Sequence, residues 1–187
     1  TRLQPVVMQI GQAAGILAHL SIKNNQSIKY VNIREVQSEI LKNKGYILPY
    51  ADVKSDHPNF ISYQKIGACG ILRSKGVNIG WENKTFFYPN KDLEHNQIFS
   101  EDWNMLGSPP QELSIINVLD WLYDLNGENL KKEKELKDYW KRLNLENFSK
   151  DRIIKRGEFA VLLDDIINPF LNVNVDFLGN LIPNDND

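Results

Sequence analysis

The sequence predicts a mainly α fold, a helical bundle or repeat with long aromatic-anchored loops. Three observations carry this. Apolar residues recur at helical spacing in six stretches between Pro5 and Asn168. Residues 71–92, with Gly76, Gly80, Trp81 and the run Phe86-Phe87-Tyr88-Pro89, read as a long loop or short hairpin held down by aromatic side chains. No run of strands alternates with helices, so no complete doubly wound sheet is expected.

The first helix is expected from Pro5 to about Asn24, with Pro5 placed where a missing N–H costs nothing. Val6, Val7, Met8, Ile10, Ile16, Leu17, Leu20 and Ile22 make it apolar on nearly every side, the pattern of a buried helix. Residues 32–44 predict a second helix, with Asn32 as N-cap, Ile33, Val36, Ile40 and Leu41 as its stripe, and Gly45 as its stop. A third begins near Pro58 and carries Phe60, Ile61, Tyr63, Ile66, Gly67 and Gly70. Further helices are expected over about 110–125, 130–143 and 154–168, the last halted by Pro169. The tail Asn184-Asp185-Asn186-Asp187 is expected to be mobile.

The 187 residues can bury a core without disulfide or metal staples. The chain has 42% hydrophobic and 25% charged residues, the balance of an ordinary globular protein, and a formal net charge of -2. Interleaved charges of both signs argue against a nucleic-acid partner, which needs a clustered basic face. No apolar run reaches the roughly 20 residues of a membrane span. The single cysteine, Cys69, permits no intrachain disulfide. The opening Thr-Arg-Leu-Gln-Pro carries no signal segment and reads as a cut inside a larger protein.

Candidate chemistry is sparse. Gly11 and Gly15, with Ala14 and Ala18 beside them, allow a backbone or a ligand to approach closely; close helix packing is the plainer alternative. His19, His57, His95 and Cys69 have no neighbours at metal-ligand spacing, so no metal site is assigned. His57 reads as a cap or packing group, and Cys69 as a small buried hydrophobe. Trp81, Phe86, Phe87 and Tyr88 anchor the loop or, as the alternative, stack on sugar rings. Arg156 and Glu158 read as a structural pair and helix cap, and Lys131–Lys137 as a solvated face. Asp164 and Asp165 point to different helix faces, and no residue is assigned a catalytic role.

Two resemblances add to this reading. The pattern Arg2-x-x-Pro5-x-x-Met8-x-x-Gly11-Gln12-Ala13-Ala14-Gly15, followed by Ile33-x-x-Val36-Gln37-x-x-Ile40-Leu41-x-x-x-Gly45-Tyr46, resembles the C-terminal end of the FAD-dependent oxidoreductase family related to the glutathione-reductase fold. The resemblance implies that residues 1–48 are the C-terminal helical segment of an incomplete flavin domain. It implies too that Gly11, Gln12, Ala13, Ala14 and Gly15 face FAD in the intact parent, with free N–H groups at a helix N-terminus meeting the cofactor. The Gly-x-Gly-x-x-Gly turn that holds the dinucleotide is absent, as is a complete Rossmann sheet, so this chain alone is expected to hold no FAD.

The second set comprises Tyr50-x-Asp52-Val53, His57-Pro58-x-Phe60, Gly70-Ile71, Phe87-x-Pro89 and Lys155-Arg156-Gly157-Glu158. It resembles S-layer homology repeats and implies that residues 49–187 form a helical module of two diverged copies. The first copy lacks the Arg-x-Glu signature, with Leu113-Ser114-Ile115 in its place, and the second lacks the Asp-Val opening. The leading expectation is therefore a C-terminal, accessory fragment of a bacterial FAD-dependent oxidoreductase, whose partner is the parent's missing N-terminal flavin domain. One alternative is a polysaccharide-associated, xanthan-lyase-labelled or S-layer-like carbohydrate-binding module of the periplasm or cell surface. The other is a structural or interaction domain that self-associates through its exposed first helix.

Overall fold

The structure, a computed structural model, describes residues 4–98, 103 and 106–182. The tail expected to be mobile lies outside them. Among the described residues there are seven helices and two two-stranded sheets, the mainly α architecture the sequence predicts, with no complete Rossmann sheet. Contacts divide the chain into two compact units, residues 1–47 with 171–187, and residues 48–170. The sequence division kept 49–187 together, whereas the contacts assign residues from Leu171 onward to the first unit.

In the first unit, α1 (Gln4–Lys23) packs on α2 (Ile33–Lys42) through a small core of Leu20, Val31 and Val36, joined by half-buried Ile16, Leu17 and Ile40. The expectation that α1 is buried all round is corrected. Among the described side chains of α1 only Leu20 is fully covered, while Val7, Met8, Ile10 and Ile22 are 63%, 75%, 63% and 81% exposed. Asn32 caps α2 as predicted. Its Oδ1 accepts from the Arg34 N–H at 2.8 Å, and its Nδ2 donates to Asn174 at 2.7 Å in the C-terminal strand pair.

The stop of α2 works differently from the prediction. Lys44 takes the left-handed conformation (φ 58°), and the Lys44 and Gly45 N–H groups bond back to the carbonyls of Leu41 and Ile40 at 2.9 Å each. Gly45 is needed for room: a Cβ there would lie 2.7 Å from Ile40 Cγ2. Strands β3 (Asn174–Val175) and β4 (Leu181–Ile182) pair antiparallel, and their turn is held by Asp176, which accepts from the Leu178 and Asn180 N–H groups. Neither strand was expected, since two residues give no periodicity to read.

The second unit is built around α6 (Arg156–Ile166), buried at every position from Arg156 to Leu163. Two helices pack on it: α3 (Phe60–Cys69), ended by Gly70 at φ 76°, and α4 (Ile115–Leu125). The predicted start of α4 at Pro110 moves to Ile115. Leu113–Ile115 instead runs beside Arg152–Ile154, with Ile115 donating to Arg152 and Ile154 to Leu113, and Ser114 then caps the helix. The charged α5 (Glu133–Arg142) has acids in its first turn and bases in its last, and buries Leu136, Tyr139 and Trp140. Single-turn α7 (Pro169–Asn172) follows α6.

Residues 71–92 contain the hairpin: β1 (Lys75–Ile79) pairs antiparallel with β2 (Glu82–Phe86) across a two-residue Gly80-Trp81 turn, Gly80 at φ 61°. Phe87 is the aromatic that anchors it, fully buried and stacked on Tyr63 at 5.0 Å. Trp81 is fully exposed at the tip.

Candidate functional site

Two places collect the residues singled out from sequence, one in each unit. In the first, Gly11 to Gly15 occupy the middle turns of α1, well past its start at Gln4. Their N–H groups are therefore committed to the helix ladder, and the expected free N–H groups at a helix end are not what these residues offer. They do not share a face either. Ala13 turns inward and is half-buried, and Gln12 reaches sideways, its Oε1 standing 3.3 Å from where a Gly45 Cβ would lie.

Gly11 and Gly15 point outward with Met8, Ala18 and Ile22, all exposed and at spacings that place them along one side of the helix. A methyl group built on either glycine would meet nothing within 4 Å. Close packing against another helix of this unit is thus not what the glycines serve here. The result is an apolar, small-centred, uncovered helix face.

In the second unit the structure joins Asp52, Phe87–Lys91 and the start of α6. Asp52 accepts from the Phe87 and Tyr88 N–H groups at 2.9 and 2.7 Å. From the other side, Arg156 Nε donates to the Phe87 carbonyl at 3.0 Å, while its Nη atoms reach Gln97 Oε1 at 2.8 Å and the Arg73 carbonyl at 3.0 Å. The Arg156 and Gly157 N–H groups donate to the carbonyls of Lys91 and Pro89 at 2.9 and 2.8 Å. Gly157 is jammed: a Cβ would stand 2.7 Å from the Tyr63 hydroxyl and 2.9 Å from Pro89. Burial lowers the pKa of Arg156, which sits 5.5 Å over the Phe87 ring.

The expected Arg156–Glu158 pair does not form. Glu158 binds Arg152 in a fork at 2.6 and 2.8 Å and caps α6 by accepting from the Lys155 N–H at 2.8 Å. Lys155 has no acceptor atom in its side chain, so the reciprocal half of a capping box is missing. Arg152 was missed from sequence because it lies six positions before Glu158, outside helical pair spacing.

Residues 1–40 match the family model described as FAD dependent oxidoreductase. The match covers α1 and most of α2 and stops before the second unit begins. No curated protein and no solved structure matches the chain.

The remaining candidates take structural places. His57 Nδ1 accepts from the Asn59 N–H at 3.1 Å, capping the turn before α3, and His95 Nε2 lies 2.8 Å from the Pro110 carbonyl. Cys69 is buried, its carbonyl bonded by Trp103 Nε1 at 3.0 Å. Asp164 and Asp165 diverge as expected: Asp164 holds Ser62 and Lys65, and Asp165 accepts from the Tyr139 hydroxyl at 2.7 Å. Among the described residues, no group of His, Cys, Asp and Glu is placed to hold a metal ion, and no helix is long and apolar enough to cross a membrane.

Sequence reasoning also missed a polar cleft of about 300 Å³ in the second unit, between the turn before α3, Pro89–Asn90, the loop after α5 and the start of α6. Asn144 and Asn147, both left-handed at φ 55° and 54°, form one wall. Asparagine closing a helix at Asn144 was the available signal.

Proposed function

We propose that the first unit completes an FAD-dependent oxidoreductase whose dinucleotide-binding half is another segment of a larger protein. In this reading the present chain is accessory to catalysis and carries no catalytic residue. The uncovered face of α1 through Met8, Gly11, Gly15, Ala18 and Ile22, inside the segment matching the family model, is the observation that supports it. Such a face fits a covering role. Its glycines expose Cα atoms and backbone to a flat partner, and it offers no donors with which to hold a pyrophosphate. Gly11 and Gly15 would then lie against the flavin half, with Gln12 and Ala14 at the margins and Ala13 supporting from the α2 side. Bound FAD would supply the hydride or electron transfer.

The test compares one substitution in two settings. Gly15→Leu in the intact parent should lower the flavin retained per polypeptide, read by flavin absorbance, while the melting temperature of the 187-residue chain is not lowered and rises slightly with the gain in helix propensity. Full flavin retention in the substituted parent would end this reading.

A second reading concerns the second unit alone and is favoured by Trp81, which projects fully exposed from the tip of the hairpin whose base carries the stacked pair Phe86 and Tyr88. An indole so placed suits contact with a sugar face, as a carbohydrate-binding module at a bacterial cell surface requires. Glycan-array binding that disappears in Trp81→Ala supports it, and a blank array removes it.

A further inference from the structure

We infer that the cleft between the start of α3 and the start of α6 is a binding site for a neutral sugar ring. The inference rests on the glycan reading for the class of ligand, but it names a different place and does not use Trp81. The argument begins with what lines the cleft. Its floor holds buried Asn59, Tyr63 and Glu158, and its rim holds exposed Asn90, Asn144 and Asn147 with half-buried Lys155. Among the described residues the side chains of Asn90, Asn144 and Asn147 make no hydrogen bond. Each carboxamide presents donors and an acceptor together, the combination that vicinal hydroxyls, themselves donors and acceptors, can satisfy.

Charge narrows the class. The buried carboxylate of Glu158 is already held by Arg152 at 2.6 and 2.8 Å and by the Lys155 N–H, so it offers a cation little. Arg152 is engaged in that pair and Arg156 in three other bonds, so no free guanidinium is aimed here at an anion. Lys155 and Glu146 on the rim are of opposite sign. A neutral, hydroxyl-rich ligand is what remains, and Pro58, Pro89 and the edge of Tyr63 give its C–H face an apolar surface. A volume of about 300 Å³ stands at the small end of ligand sites and suits one or two rings.

The walls are held before any ligand arrives. Trp140 Nε1 donates to the Glu146 carbonyl at 2.9 Å, and the Leu145 N–H donates to the Trp140 carbonyl at 3.1 Å, pinning the asparagine loop to α5. Opposite, the Tyr63 ring is fixed between Phe87 at 5.0 Å and His57 at 5.2 Å. A site assembled in advance spends little ordering free energy on binding.

The experiment titrates the ¹⁵N-labelled full chain with β-1,4-linked glucose and N-acetylglucosamine tetramers and follows backbone amide shifts. The double variant Asn144→Gly with Asn147→Gly removes two amides while suiting both left-handed positions, so the fold is kept; an unchanged spectrum outside the cleft verifies this. Shifts clustered at residues 57–63, 89–90, 144–147 and 155–158, weakened about tenfold or more in affinity by the double variant and unaffected by Trp81→Ala, are expected. Shifts confined to 79–88 and lost with Trp81→Ala would overturn the cleft and leave the glycan reading standing. No shifts with either tetramer at millimolar concentration would overturn both.

Discussion

Helices α1 and α6 carry similar proportions of apolar residues and include glycine, yet they end in opposite environments. Helix α6 is enclosed at every position from Arg156 to Leu163, including an arginine and a glutamate, because α3, α4 and the Phe87–Lys91 loop surround it. Helix α1 packs mainly on α2 and the short turn Ile28–Tyr30, and leaves Val7, Met8, Ile10 and Ile22 in solvent. Gly157 has no room for a methyl group; Gly11 and Gly15 have nothing near them. The difference teaches that burial depends on the partners a helix has in its own unit. Substitutions should therefore divide by helix rather than by residue type.

The largest effect is expected at Arg156. Replacing it by Met removes three hydrogen bonds and strands the buried carbonyl of Phe87. A loss of about 3–5 kcal/mol is expected, read as a fall in urea midpoint at unchanged slope. Met8→Ala on the open face of α1 should stay within about 0.5 kcal/mol. A loss at Arg156 no larger than that at Met8 would break the contrast between the two helices.

Next comes an alkaline effect confined to the second unit. Burial pushes the Tyr63 hydroxyl up to about 12, against an Asn59 hydrogen bond that lowers it, while an unfolded tyrosine ionises near 10.0. As pH rises from 10 toward 12 the unfolded chain sheds its proton first, so stability is full below 10 and declines through that window. The full shift corresponds to about 3 kcal/mol from Tyr63. Burial raises Tyr50 and Tyr139 in the same direction. Tyr63→Phe should consequently flatten part of the alkaline slope of urea-measured stability, and an unaltered slope would show that the floor of the cleft is wet.

Helix positions were legible in the sequence wherever the apolar stripe was long, as in α2 and α4, and the caps Asn32 and Ser114 show why their N-termini fall where they do. What could not be read was set by contacts distant in sequence. Residues 110–114 carry helix-compatible composition, but Leu113 and Ser114 pair with the stretch before α6 instead. The Arg152–Glu158 fork spans a turn, the polar cleft draws on four separate segments, and β3 and β4 are two residues each. In the first unit the small residues at Gly11 and Gly15 were visible in the sequence, but their direction was not. Spacing places Gly11 and Gly15 on the same side of α1, and only the position of α2 decides that this side points away from it.

A direct probe of packing is Gly157→Ala. The new methyl would stand under 3.0 Å from the Tyr63 hydroxyl and Pro89 Cβ, and 3.0 Å from the Pro89 carbonyl oxygen, none of them the end of a long flexible side chain. About 2–3 kcal/mol of destabilisation is expected by thermal or urea unfolding, despite alanine's better helix propensity.

The same change at Gly11 and Gly15 should reverse sign, and this smallest effect separates the readings of α1 most sharply. Both glycines lie inside a helix with nothing within 4 Å of a Cβ, so alanine gains helix propensity and loses no contact. Each substitution should stabilise the chain by roughly 0.5–1 kcal/mol, visible as a small rise in urea midpoint. If the glycines instead serve a helix–helix contact between copies of this chain, the substitutions would cost stability, increasingly so at higher protein concentration. If α1 covers the flavin half of a larger protein, the gain in the isolated chain would be accompanied by lowered flavin affinity in the intact parent. The sign in one setting and the direction in the other thus distinguish a face that serves copies of this chain from one that serves another part of a larger protein.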